Sequence, residues 1–184
     1  MCENAALYLL RASAVADVKV ALIDRGGECF DLCKHLTEYA DPVYVVTEAA
    51  ELYTEYAEYL LAERGAALRV SKRGDCLRDA DLIICPGGIA EDTRCQPTAV
   101  ILSGEKPSSP QNAPVIYDYY FDLPKKYHDL MPEYLDEMYF ASALYSMTRA
   151  SELGSELFTR CGDGTVIHTR MSLTEFLKKR IISR

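Results

Sequence analysis

The chain has 184 residues, of which 49% are hydrophobic, 26% charged and 10% aromatic, and its formal net charge is −8. This length suits one domain, or one with a small appendage, and is enough to bury a sizeable core. The composition excludes collagen, coiled coil and wholesale disorder. The sequence contains no run of about 18 apolar residues, the length needed to cross a membrane. The acidic excess repels phosphate backbones, so we expect no nucleic-acid partner.

The cysteine content indicates reduced thiols. The seven cysteines are an odd number, no CxxC pair occurs, and the first four residues lack the basic region of a secretory signal. We therefore expect a cytoplasmic protein. Cys29 and Cys33, four residues apart, favour small core residues on one side of a helix, with a redox or metal pair as the alternative. The scattered histidines predict no metal site.

Helices and strands alternate in the first two thirds of the chain. Residues 4–16 predict a lead-in helix, and the apolar run 18–24 predicts a buried strand. After Gly26-Gly27, apolar residues recur at helical spacing up to Ala40. The strands predicted next are 43–46, 67–71, 81–85, 98–102 and 114–118.

The helix after the second strand is rich in tyrosine. Thr47 can cap its start, and Gly65 suits its C-terminal end. Periodicity assigns four of its residues to the core face, namely Leu52, Tyr56, Tyr59 and Leu60.

The character of the sequence changes beyond residue 118. Pro132 predicts the start of a heavily buried helix over 133–152. A turn at 161–164 predicts a hairpin, and the capping box Ser172-Leu173-Thr174-Glu175 predicts the start of the last helix. The preceding aromatic residues are expected to pack under these helices, line a pocket or meet a second subunit; they are Tyr117, Tyr119, Tyr120 and Phe121.

Alternating short strands and helices over residues 18–118 favour parallel strands joined by crossovers. We therefore predict an α/β protein with a doubly wound, mostly parallel six-stranded Rossmann-like sheet, a helical C-terminal extension and one hairpin. The predicted division is a Rossmann-like domain over 1–130 with an N-terminal lead-in helix, and a helical extension over 131–184 packed on it. Ligands of such sheets bind at the carboxyl ends of the strands, where the strand order switches.

The first strand–helix turn, IDRGGEC over residues 23–29, resembles that of the NAD(P)-binding Rossmann family. With the middle glycine of the family's GxGxxG/A pattern on Gly26, Asp24 and Cys29 stand at the other two glycine positions. The resemblance implies NAD or NADP as cofactor, with a pyrophosphate held at the turn formed by Asp24, Gly26, Gly27 and Glu28. The two acids would bring negative charge toward that pyrophosphate.

Thr47-Glu48 ends the second strand, roughly 20 residues after Gly26, where the family places the acid that binds the ribose hydroxyls. The resemblance thus adds Thr47 and Glu48 to the cofactor site. The alternative is that Glu48 is a first-turn acid favoured by the helix dipole.

The segment 77–88, ending in Pro86-Gly87-Gly88, resembles the fourth strand of the Rossmann domains of shikimate dehydrogenases and glutamyl-tRNA reductases. In those families the strand leads into a loop under the nicotinamide ribose, which implies that Pro86, Gly87 and Gly88 contact the cofactor. Their catalytic residues lie outside the matched region, about residues 18–118, so the resemblance assigns no catalytic residue.

A rival resemblance covers residues 81–88, which are also similar to the "PGG" strand of the DJ-1/PfpI amidotransferase-like family. The elbow that carries that family's nucleophilic cysteine falls here on residues 117–119, which contain no cysteine. The region that follows the sixth strand contains four acid–base candidates, which are alternatively solvated loop residues: Asp118, Asp122, His128 and Asp129.

These observations predict a Rossmann-like protein that binds a nucleotide or related small ligand at the Gly26-Gly27 turn, with an NAD(P)-dependent oxidoreductase-type role as an extension. This prediction requires free backbone amides in that turn. The alternative is a Rossmann-derived module without cofactor that acts through oligomer or partner contacts, and the apolar helix over 133–152 favours a homo-oligomer.

Overall fold

The computed structural model describes residues 2–13, 18–121, 123, 125–147 and 158–182. Its α-helices are α1 (Cys2–Ser13), α2 (Phe30–Leu36), α3 (Ala50–Arg64), α4 (Glu137–Met147) and α5 (Arg170–Ile182). Its strands are β1 (Val20–Ile23), β2 (Val43–Val46), β3 (Leu68–Ser71), β4 (Leu82–Cys85), β5 (Val100–Ser103), β6 (Val115–Ile116), β7 (Asp118–Phe121), β8 (Phe158–Gly162) and β9 (Ile167–Thr169). Short 3-10 helices span Gly74–Arg78 and Lys125–Leu130.

The central sheet is parallel throughout, with the strand order β3-β2-β1-β4-β5-β6. The chain starts in the middle at β1, moves outward to β3, returns to place β4 beside β1, and continues to β6. The strand order therefore reverses between β1 and β4. This confirms the predicted doubly wound α/β fold and puts the first turn at the switch in strand order.

The two faces of the sheet are covered differently. On one face, Leu22 and Ile84 are fully buried in a core that α1, α2, α3 and α5 share. On the other, Ala21 and Ile83 are covered by the 3-10 helix Gly74–Arg78 and by irregular segments around β5. Burial on both faces explains why the strands read as continuous apolar runs.

A small antiparallel sheet of order β7-β8-β9 stands beside β6. The β8–β9 hairpin is the predicted one, and the Asp163 carboxylate accepts the amides of Thr165 and Val166 in its turn. Strand β7 was not predicted; it begins two residues after β6 and takes up part of the aromatic run. The small sheet therefore joins strands from both sides of the predicted boundary at residue 130, and that boundary stays a prediction.

The core face predicted for α3 was correct for Leu60 and for Tyr56, which packs against the core, and wrong for Leu52 and Tyr59. Tyr53 and Leu60 are fully buried, whereas Leu52 and Tyr59 are 44% and 54% exposed. The helix begins at Ala50 rather than directly after Thr47, although the Thr47 hydroxyl does accept the amide of Ala49. Its C-terminal end is as predicted, because Gly65 adopts a left-handed conformation there.

The helix predicted over 133–152 is present in its described part, but the prediction that it is heavily buried was wrong. Its described part begins at Glu137, because the carboxylate of Asp136 rather than Pro132 caps it by accepting the amides of Met138 and Tyr139 at 3.0 and 3.1 Å. It packs on a small separate cluster around Leu123, which leaves Tyr139 67% exposed. Residues 148–152 lie outside the described part, as do residues 14–16 of the lead-in helix.

The last helix begins at Arg170, before the predicted capping box. The hydroxyl of Thr169 accepts the Ser172 amide, so Ser172 lies inside the helix and is not its cap. Leu173 and Leu177 point inward as expected. Within the described ranges, no helix is long and apolar enough to cross a membrane.

Candidate functional site

A cleft of about 780 Å³ opens at the carboxyl ends of β1 and β4. Its volume lies within the range of small-molecule sites in proteins. We call it the main cleft. Its walls come from the first residues of α1, the turn after β1, the loop after β4 and the loop after β5. Six of the predicted site residues line it, namely Asp24, Gly26, Glu28, Pro86, Gly87 and Gly88.

The wall after β4 is held by the neighbouring loop after β5. The carbonyl of Cys85 accepts the amides of both Gly88 and Gly104 at 3.0 Å. A Cβ on Gly104 would lie 1.9 Å from the carbonyl oxygen of Pro86, so the two loops touch backbone to backbone. Gly87 in contrast has open space where a Cβ would point. The wall is therefore fixed from behind and open toward the cleft.

The turn after β1 is capped by its own side chain. Asp24 is 5% exposed, and its carboxylate accepts the amides of Gly27, Glu28 and Cys29 at 3.1, 3.0 and 2.9 Å. The expectation of free backbone amides at this turn was therefore wrong. A carboxylate in the chain already occupies the donors that a pyrophosphate would use.

A second contact fixes Asp24 from α3. The fully buried Tyr53 donates its hydroxyl to the Asp24 carboxylate, and burial together with this bond raises the pKa of Tyr53. Tyr53 was not among the predicted core residues, although Tyr53, Tyr56, Ala57 and Leu60 recur at helical spacing. Aspartate side chains nevertheless commonly accept backbone amides a few residues further on in turns, and Asp24 stands just before Gly26-Gly27 in the sequence.

NAD or NADP therefore does not fit this turn in the usual way. The amides are taken, Glu28 adds a second carboxylate, and Gly27 faces α3, where a Cβ would lie 3.0 Å from that of Ala49. Gly27 lines neither this cleft nor the one described next, in contrast to its predicted contact with a cofactor.

A second cleft of about 330 Å³ lies beside the first, at the carboxyl ends of β1 and β2. Thr47 and Glu48 both line it. Thr47 is only 1% exposed, and its hydroxyl bonds to the Ala49 amide and to the Arg25 carbonyl, which makes it a structural residue. Glu48 is exposed and precedes α3, so the alternative of a first-turn acid is wrong, and its ribose contact stays a prediction.

Three of the four acid–base candidates, Asp118, His128 and Asp129, line neither cleft. Asp118 accepts the Tyr120 hydroxyl at 2.6 Å, and His128 Nε2 is 2.9 Å from the carbonyl of Leu123. Asp129 is exposed and lines neither cleft, whereas Asp122 lies outside the described residues. These contacts assign them to the small sheet and the α4 region.

The described cysteines do not include an activated nucleophile, because their thiol pKa values are raised rather than lowered. Burial, with the Asp24 carboxylate as the next cause, raises the pKa of Cys29 in the main cleft to about 12. Burial likewise raises the pKa of Cys85 to about 12. A nucleophilic thiol needs the opposite shift. In the described part of the chain, no three His, Cys, Asp or Glu side chains are grouped to hold a metal ion.

No protein-family model matches the chain, and no curated protein is significantly similar to it in sequence. The fold alone therefore defines the class of this protein: a doubly wound α/β protein with a cleft at the switch in strand order.

Proposed function

We propose that this protein binds a nucleotide-like small ligand in the main cleft. The supporting observation is a cleft of about 780 Å³ at the reversal of strand order, the usual place for ligands in such sheets. Gly26 and Gly87 both line the cleft and, having no side chains, let a ligand approach the backbone. An oxidoreductase-type role in the cytoplasm is the extension of this proposal, and NAD or NADP would have to bind without the usual pyrophosphate contacts.

The charge of the main cleft narrows the ligand class. Exposed carboxylates of Glu3, Glu28 and Glu105 line it beside the cations of Arg25 and Lys106. With the buried Asp24, acids outnumber bases. The ligand group that meets the turn after β1 is therefore neutral or cationic rather than a phosphate. Of common nucleoside ligands, S-adenosylmethionine fits this requirement better than NAD, NADP or FAD.

Thermal unfolding in the presence of S-adenosylmethionine, NAD, NADP and FAD tests this proposal. A ligand at a hundredfold excess over its Kd stabilises by about 2.7 kcal/mol, or roughly 5–10 °C for a chain of this size. The variants Gly87→Leu and Gly26→Val fill the cleft and should abolish the shift. Ala62→Leu, on the exposed far end of α3, adds a comparable side chain and should retain it. Flat curves for all four ligands would contradict the proposal.

A second candidate is a cofactor-free module that acts through a second copy of this chain. The self-capped turn favours it, and so do the exposed apolar side chains of the α4 region, where Tyr134 and Met147 are 88% and 82% exposed. Exposed apolar side chains that form a contiguous patch mark a site of protein–protein contact. The oligomeric state in solution tests this candidate.

A further inference from the structure

We infer that the second cleft is a separate site for a phosphate ester that also carries hydroxyl groups, such as a sugar phosphate. Four exposed cations line this cleft of about 330 Å³ although the whole chain has a net charge of −8; they are Arg25, Lys72, Arg78 and Arg94. Arg25 also lines the main cleft, whereas Lys72, Arg78 and Arg94 line the second cleft and not the main one, so this site does not depend on a ligand in the main cleft.

The four cations are not neutralised by contact with the acids of the cleft. The carboxylates of Glu48, Asp75 and Asp92 also line it, but among the described residues no pair of these charges lies within the 4.0 Å of an ion pair. The cations therefore keep donors for a guest. Arginine is well suited to a phosphate because its planar fork binds two oxygens at once.

The acids of the cleft select the rest of the ligand. A carboxylate such as Glu48 accepts hydrogen bonds from hydroxyl groups. Cations and acids in one small cleft thus match a ligand with both a phosphate and hydroxyls. A polyanion without hydroxyl groups would be repelled by the three carboxylates and would offer them no hydrogen-bond donor.

The backbone segments that carry the cations are held in place. The Arg25 carbonyl accepts the amide of Glu48 at 3.1 Å, which ties the turn after β1 to the loop after β2. The Ser71 hydroxyl accepts the Arg73 amide at 3.1 Å and donates to its carbonyl at 2.7 Å, which fixes the turn through Lys72.

The backbone beside the other two cations is held by buried neighbours. Arg78 follows the buried Leu77 at the end of its 3-10 helix. Arg94 precedes the buried Cys95, whose carbonyl accepts the side-chain amide of Asn112 at 2.5 Å. A site built on anchored segments loses less conformational entropy when it binds.

The test is an amide chemical-shift titration of isotope-labelled protein with ribose 5-phosphate, ribose and inorganic phosphate, at constant ionic strength against chloride. We expect saturable shifts at residues 72–78 and 92–94 with ribose 5-phosphate, weaker ones with inorganic phosphate, and none with ribose. The double variant Arg78→Gln/Arg94→Gln should weaken binding of ribose 5-phosphate about tenfold or more, which corresponds to the loss of about one charge-assisted hydrogen bond.

The control variant is Arg64→Gln, an exposed arginine in the last turn of α3 that should bind like the wild type. The inference is overturned if ribose 5-phosphate causes no larger amide chemical-shift changes than ribose does. It is also overturned if the double variant binds ribose 5-phosphate like the wild type, or if Arg64→Gln weakens that binding as much as the double variant does. Gly87→Leu should leave this titration unchanged, so failure here is distinguishable from failure of the main-cleft proposal.

Discussion

The hydroxyl of Tyr53 on α3 donates a hydrogen bond to the carboxylate of Asp24 at the end of β1. The same carboxylate accepts the amides of Gly27, Glu28 and Cys29. One buried acid therefore closes the turn at the centre of the sheet and joins it to α3. In a doubly wound sheet this is the place where a ligand anion would otherwise bind.

Removal of this carboxylate should destabilise the fold strongly. Asp24→Ala leaves the three amides and the Tyr53 hydroxyl without their acceptor, and we expect a loss of about 2–4 kcal/mol in the free energy of unfolding. Tyr53→Phe removes one of these bonds, and we expect about 1–2 kcal/mol. Urea denaturation checks both values. A loss below about 0.5 kcal/mol for Asp24→Ala would contradict the structural role of this residue.

Alanine substitutions at two glycines in the neighbouring loops of the main cleft should have different effects on the free energy of unfolding. Gly104→Ala would force a Cβ onto the carbonyl oxygen of Pro86, and we expect a loss of about 1–3 kcal/mol from this overpacking. Gly87→Ala points into open space and should change the free energy of unfolding by less than about 0.5 kcal/mol. Equal effects of the two substitutions in thermal unfolding would show that the loops do not touch as described.

The raised thiol pKa values predict low reactivity in the folded state. With its pKa raised by burial from 9.0 to about 12, Cys161 has about a thousandfold lower thiolate fraction at pH 8 than an ordinary thiol. Iodoacetamide should therefore modify Cys161 and Cys85 much more slowly in folded protein than in urea, as mass spectrometry of labelled peptides would show. Similar rates in both states would contradict their burial.

The same shift carries a pH dependence. The folded thiol holds its proton more tightly than the unfolded one, so its contribution to stability is fully present below pH 9 and is lost as the pH rises toward 12. Cys161→Ala should flatten the alkaline fall in the free energy of unfolding relative to the wild type. An unchanged slope would assign that fall to other groups.

The exposed apolar side chains of the α4 region predict self-association. Leu130 is 65% and Tyr139 67% exposed. If a second copy of the chain covers them, light scattering after size exclusion should show a dimer, and Tyr139→Glu should give a monomer because it would bury a charge. The matched control is Tyr59→Glu, an exposed tyrosine on α3 that should leave the dimer intact. A monomeric wild type would contradict the cofactor-free module.

The sheet was predictable from the sequence because its strands are buried on both faces and alternate with helices. The inward face of α3 was predicted only in part, because Tyr53, Tyr56, Ala57 and Leu60 form one helical stripe and Leu52 and Tyr59 offer an overlapping one. The hydrogen bond from Tyr53 to Asp24 could not be read from that spacing. Strand β7 was missed since it follows β6 with only Tyr117 between them and pairs with β8, far along the chain.

The candidate site was predicted in position but not in chemistry. The switch in strand order follows from topology, so Gly26 and Gly87 were correctly expected at one edge of the sheet. Whether the amides there serve a ligand or the chain itself depends on how the Asp24 side chain turns. A motif comparison does not contain that information, because the same aspartate could cap the turn or point into the cleft.

The most direct test of the main-cleft proposal is a crystal structure of the protein with the ligand that raises its unfolding temperature most. The proposal predicts electron density for that ligand between Gly26 and Gly87, with the carboxylate of Asp24 still bonded to the amides of its own turn. Density for the ligand at any other surface, with the main cleft holding solvent alone, would contradict it.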